Sequence, residues 1–132
     1  MEESLEAVRE LWRTYREQGP EAAIALLDAR VEFVDHAGRV FNGHDGVRDF
    51  FAEFERRGEV FLASPYSFEP HEPDVIVIGH RRIRTEDGIR GDYLFFVHSF
   101  RDGRVSRIAA HMSKEAALAD IAARYRGRAW PS

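Results

Sequence analysis

The stretch Asp74–Met112, DVIVIGHRRIRTEDGIRGDYLFFVHSFRDGRVSRIAAHM, decides the fold. It predicts three β-strands joined by two hairpin turns. Val75-Ile76-Val77-Ile78 opens the first strand, which runs through His80 to Arg84. Glu86-Asp87-Gly88 turns it, Tyr93–Val97 centres the second, and Arg101-Asp102-Gly103 turns into the third, Val105–Met112. Both turns end in Asp-Gly, which suits a three-residue loop with Gly in the left-handed position of a bulge. On that reading Thr85 pairs with Ile89 and Phe100 with Arg104, and this register assigns the faces. One face then carries Ile76, Ile78, His80, Arg82, Leu94, Phe96, His98, Phe100, Ile108, Ala110 and Met112. The other carries Val75, Val77, Arg81, Ile83, Tyr93, Phe95, Val97, Val105, Arg107, Ala109 and His111. Both rows are largely apolar, so both need covering. Helices are expected over the first. A second copy of the chain is expected over the other, giving a homodimer through Tyr93, Phe95, Val97 and His111.

The rest of the chain supplies those helices. Leu5, Val8, Trp12 and Tyr15 follow amphipathic-helix spacing up to Gly19, and Pro20 suits the first turn of a short second helix through Leu27. Arg30–Asp35 alternates as a strand whose apolar side, Val31 and Phe33, finishes in the carboxylate of Asp35. Ala37–Gly43 reads as a loop, and His44–Arg57 as a third helix burying Val47, Phe50, Phe51 and Phe54. Val60–Phe68 is a strand interrupted by Pro65. Ser113 is an N-cap for a last helix with Leu118, Ile121, Ala122 and Tyr125 on one face. The order α-α-β-α-β-β-β-β-α gives an α+β fold, helices on a strongly curved, mostly antiparallel sheet, expected as one domain over 1–132 with a short tail at 127–132. Three helices on one concave face leave a cone with a deep opening.

Composition narrows the functions. The 132 residues suffice to bury roughly two thirds of the unfolded surface. A net charge of -4, and arginines that alternate across a strand at Arg81-Arg82-Ile83-Arg84, argue against a nucleic-acid partner. With no cysteine, thiol chemistry is excluded. No apolar run approaches the roughly 18 residues of a membrane span, and the acidic start lacks a signal core, so no membrane partner and a cytoplasmic location are expected.

Four segments resemble the nuclear transport factor two-like superfamily, and within it the SnoaL-like polyketide cyclase group. They are Gly19-Pro20, Arg30–Asp35, Asn42–Phe50 and Phe100–Val105, the last followed by the final helix. The resemblance covers about residues 5 to 126 and implies the cone-shaped α+β fold. Members include ketosteroid isomerase, SnoaL-type cyclases, scytalone dehydratase and limonene epoxide hydrolase, so fold alone does not set function. Asp35 stands where the general base of ketosteroid isomerase would be. That enzyme's oxyanion pair does not carry over: Trp12 stands close to its tyrosine position and Phe96 at its aspartic acid. Phenylalanine cannot donate a hydrogen bond to a developing enolate.

Asp35, His98, His80 and Arg82 are therefore the polar residues expected in an oily cone. A carboxylate at an apolar edge tends toward a raised pKa, and an imidazole nearby could orient it. The catalytic candidates are Asp35 as base, His98 as its partner, and Tyr15 (or Arg82) stabilising negative charge. The alternative is a structural pair of Asp35 with Arg82 or His98. Trp12, Phe33, Phe50, Phe54, Tyr66, Phe68, His80, Arg82, Phe96 and Met112 are the expected ligand-binding wall. The scattered trio His80, His98 and Asp35 has no metal-site spacing, so neither metal nor cofactor is expected. The reading is a small-molecule-binding protein for an apolar or carbonyl-bearing ligand, with cofactor-free cyclase, isomerase or dehydratase chemistry if it is an enzyme. The alternative is a non-catalytic binding or accessory dimerisation module.

Overall fold

In the computed structural model, which describes residues 1–126, the helices and the sheet form as α1 Glu2–Gln18, α2 Pro20–Ile24, β1 Glu32–Val34, β2 Val40–Asn42, α3 Gly43–Arg56, β3 Val60–His71, β4 Asp74–Thr85, β5 Gly88–Arg101, β6 Arg104–His111 and α4 Lys114–Arg126. The expected tail at 127–132 lies outside the described residues. One six-stranded sheet runs β2-β1-β6-β5-β4-β3, antiparallel except where β1 lies parallel to β6. This is the expected α+β architecture. The expected loop before α3 instead contains β2, three residues paired with β1. Strand β3 also passes through Pro65 rather than stopping near it, because a bulge at Tyr66 absorbs the irregularity.

Both hairpins turn more tightly than their Asp-Gly pairs imply. Thr85 faces Gly88 and Arg101 faces Arg104, so each loop has two residues. At the second, Asp102 (φ 51°) and Gly103 (φ 78°) both take positive φ, as a type I′ turn requires. The two tightenings have different consequences. Between β5 and β6, a bulge leaves Ser106 unpaired, its hydroxyl donating to the Ser99 carbonyl (3.4 Å). This second one-residue shift restores the expected faces from Arg107 onward, while Val105, before the bulge, turns to the helix side instead of the other face. Between β4 and β5 nothing compensates, and the faces of β4 are exchanged.

Val75 and Val77 therefore join Leu94, Phe96, Val105, Ile108 and Ala110 in the main core, under Val8, Leu11 and Trp12 of α1, Ala23 and Ile24 of α2, and Val47 and Phe50 of α3. Ile83 is buried further along the same face. Ile76 lies on the opposite face with Val97 and Phe95, against Ala117 and Ile121 of α4. Helix α4 does not join the other three, and much of the face assigned to a partner copy is covered by this chain. Val97 is fully buried there. Ser113 caps α4 as expected, its hydroxyl accepting the Ala116 N–H at 3.1 Å. Polar pairs fix the helix on the sheet. Asp120 accepts from Arg107 (3.0 Å) and bonds His111 (2.9 Å). The fully buried Asp74 accepts from Tyr125 (2.7 Å), Arg124 (3.0 Å) and Ser99 (3.1 Å).

Candidate functional site

On the face beneath α1–α3, β4 and β5 present one rung after another. Val75 lies opposite His98, Val77 opposite Phe96, Gly79 opposite Leu94, Arg81 opposite Asp92, and Ile83 opposite Arg90. The series passes from apolar to charged, and two spaces follow it. An inner chamber of about 90 Å³ is lined by Trp12, Tyr15, Val47, His98 and Ile108 among others. An outer cavity of about 300 Å³ is lined by Asp35, His36, Arg39, Glu53, Arg57, Arg81, Arg90 and Asp92 around apolar residues. Phe33, Phe50, Phe61 and Phe96 belong to both walls.

The inner chamber is chemically closed. His98 is fully buried, and the Trp12 indole N–H donates to its Nε2 at 3.0 Å. Nε2 is thus the acceptor, so Nδ1 carries the hydrogen and donates to the Phe96 carbonyl, also at 3.0 Å. Burial disfavours the imidazolium and brings the pKa down to about 4. Trp12 meets Phe96 edge-on at 5.2 Å between ring centres. Gly79 makes that approach possible, since a Cβ there would lie 2.9 Å from Phe96 Cε2 and 3.0 Å from Trp12 Cη2. Tyr15 stacks on Phe51 at 5.8 Å, and burial pushes its hydroxyl up to about 12. That hydroxyl has no hydrogen-bond partner among the described residues.

The outer cavity is held open by charge pairs. Asp35, buried just past β1, turns the chain back into β2: its Oδ1 accepts the N–H groups of Ala37 (3.0 Å) and Arg39 (2.8 Å). Its Oδ2 accepts Arg39 Nε at 3.0 Å. Burial pushes the carboxyl pKa up, but these three bonds outweigh it, and the pKa lies below its ordinary value. The expectation of a raised pKa is corrected by a local turn that strand periodicity does not reveal. Arg39 reaches on to Glu53 (2.8 Å), and Arg81 grips Asp92 with two bonds of 2.9 and 2.6 Å. Arg81 Nη1 lies 3.3 Å from His36 Nδ1.

Of the expected wall, Phe33, Phe50 and Phe96 line both spaces, Phe54 the outer one, and Trp12 and Tyr15 the inner one. Phe68 packs into the core and lines neither. His80 and Arg82 face the other way, a correction that follows from the exchanged faces of β4; His80 packs on Tyr93 at 4.9 Å. Tyr66 sits on the β3 bulge and is 74% exposed, and Met112, beyond the end of β6, is 57% exposed. Asp35 and His98 are not brought together as a pair; each has its own partners in its own space. Arg39, Arg81, Arg90 and Asp92 escaped the sequence reading. The signal was present, since a two-residue first loop sets Arg81 opposite Asp92, and opposite charges favour that register. Among the described residues no group of three histidines or carboxylates is placed to hold a metal ion, and no helix is long and apolar enough to cross a membrane.

Solved structures match this chain over most of its length. TerC, co-crystallised with polyporic acid, superposes with a TM-score of 0.73 at 21% identity, covering 89% of this chain and 96% of its own. An NTF2-like protein of unknown function from Burkholderia pseudomallei superposes at 0.72 and 19% identity, covering 90% and 97%. RV0760c from Mycobacterium tuberculosis, in complex with estradiol-17beta-hemisuccinate, superposes at 0.68 and 14% identity, covering 86% and 95%. At such identities the likeness establishes the fold. No family model matches the chain, and no curated protein does.

Proposed function

We propose that this chain, with its nuclear transport factor two-like fold, binds a small and largely apolar molecule in the outer cavity. The observation that carries this reading is the cavity itself, about 300 Å³ with a floor of Phe33, Phe50, Phe61, Leu94 and Phe96. Side chains that could have filled it are instead tied back in charge pairs at its rim. Neighbours of this fold crystallised with polyporic acid and with a steroid hemisuccinate add support. Titration with the neutral fluorophore N-phenyl-1-naphthylamine tests it. Saturable binding is expected, and Leu94→Trp, whose side chain would occupy the cavity, abolishes it. Binding that survives in a folded Leu94→Trp variant contradicts the reading.

A second reading, cofactor-free proton transfer as in a cyclase, isomerase or dehydratase, draws on Asp35 lining that cavity. Its lowered pKa makes it an ionised but weak base at neutral pH, and a substrate proton would compete with Arg39 for Oδ2. In this reading Tyr15, whose unpaired hydroxyl lines the inner chamber and not this cavity, is the donor only to a ligand carbonyl that reaches past the shared phenylalanine wall. His98, locked by Trp12, holds that wall in place. Asp35→Asn then removes turnover while leaving probe affinity unchanged.

The homodimer expected through Tyr93, Phe95, Val97 and His111 is proposed instead through Tyr93 and its exposed neighbour Tyr66, since α4 packs over Phe95 and Val97 and its Asp120 bonds His111. Light scattering of Tyr93→Glu at micromolar concentration tests it: the wild type is expected as a dimer and the variant as a monomer.

A further inference from the structure

The outer cavity contains four guanidinium groups, Arg39, Arg57, Arg81 and Arg90, against three carboxylates, Asp35, Glu53 and Asp92. Three of the cations are engaged. Arg39 bridges Asp35 and Glu53, Arg57 pairs with Glu59 at 2.8 Å and approaches Glu53 at 3.7 Å, and Arg81 holds Asp92. Each carboxylate of the wall is thereby neutralised. Arg90 is left over, with no hydrogen bond or ion pair among the described residues. It is not remote from the apolar floor: in the β4–β5 ladder it stands directly opposite Ile83, which lines the same cavity as Leu94, two rungs away. A ligand lying on that floor would present one end to this guanidinium.

We infer that the cavity selects a monoanion: a molecule with a flat, apolar body and one acidic group, a carboxylate or an ionised enol or phenol, with Arg90 as the residue that reads the charge. This rests on the binding reading above and adds the ligand's charge to it. A neutral ligand would leave Arg90 solvated and gain only the apolar contact. An anion adds a charge-assisted hydrogen bond at the rim, where the guanidinium stays partly hydrated and its desolvation cost is small. A dianion finds no second unpaired cation on this wall.

Two probes with the same ring system separate charge from shape. They are the anion 1-anilinonaphthalene-8-sulfonate and the neutral N-phenyl-1-naphthylamine. The anion is expected to bind about tenfold more tightly at low salt, the size of one charge-assisted hydrogen bond. Arg90→Gln removes that preference while leaving the affinity for the neutral probe unchanged, Arg90→Lys keeps most of it, and Leu94→Trp abolishes binding of both. Equal affinities in the wild type, or a preference that survives Arg90→Gln, overturns the charge selection and leaves the cavity reading standing. If Leu94→Trp changes neither titration, both readings fall.

Discussion

The two ends of the face beneath α1–α3 are made by the same pair of strands and differ in whether the side chains those strands carry keep a polar hydrogen free. At the inner end the Trp12 N–H is bound by His98 and the His98 N–H by the Phe96 carbonyl. Three rungs further along β4 and β5, Arg81 and Asp92 are half-buried, and one rung beyond them Arg90 is exposed. A polar group deprived of water must be partnered or destabilise the fold, so the inner histidine is chemically quiet. A group at the rim can exchange its partner for a ligand because water fills in between. Function thus belongs to the rim and stability to the inner end, and substitutions should separate them.

Truncating Trp12 to Ala gives the largest expected effect. It removes a core ring and orphans His98, so a loss of about 3–5 kcal/mol is expected in urea unfolding. A loss below about 1 kcal/mol would break the contrast. The titration of His98 comes next. Its folded pKa of about 4 lies below the ordinary 6.5, so between these values the unfolded chain binds the proton and the folded chain does not. Stability therefore rises with pH across that window, and acidification from 6.5 to 4 costs about 3 kcal/mol. His98→Gln flattens this slope by one proton. The lowered carboxyls of Asp35, Asp92 and Asp120 contribute separately. Their contribution is present above the ordinary carboxyl pKa and is lost only as the pH falls below about 4. Gly79→Ala forces Phe96 and Trp12 apart and is expected to cost about 1–3 kcal/mol, read as a shift of the denaturation midpoint. Arg90→Gln is the smallest, within about 0.5 kcal/mol of wild type, because the rim cation packs against nothing that the fold needs.

The same contrast explains what was legible in the sequence. Leu94, Phe96, His98, Ile108 and Ala110 were readable as one row because strand alternation is strong and the two shifts between β5 and β6 cancel. The row of β4 was not, since one residue of loop length exchanges its faces. His80 and Arg82 were expected inside, whereas Arg81 is there. The side chosen by α4 was hidden for another reason. Its apolar residues state that it packs and not where, and the decisive match is between Asp74 and Arg107 on the sheet and Arg124, Tyr125 and Asp120 on the helix. Asp35 was correctly read as standing at the end of a strand. Its turn with Arg39, which lowers its pKa, depends on a return of the chain too short to register as a strand.

A ¹⁵N–¹H titration of the protein with 1-anilinonaphthalene-8-sulfonate examines the division of labour between rim and inner end. The shifts should be largest at the amides of Arg81, Arg90, Gly91 and Asp92, with His98 keeping its Nδ1–H tautomer throughout. Shifts concentrated at Tyr66 and Tyr93 on the opposite face, or a His98 that changes tautomer as the probe binds, would contradict it.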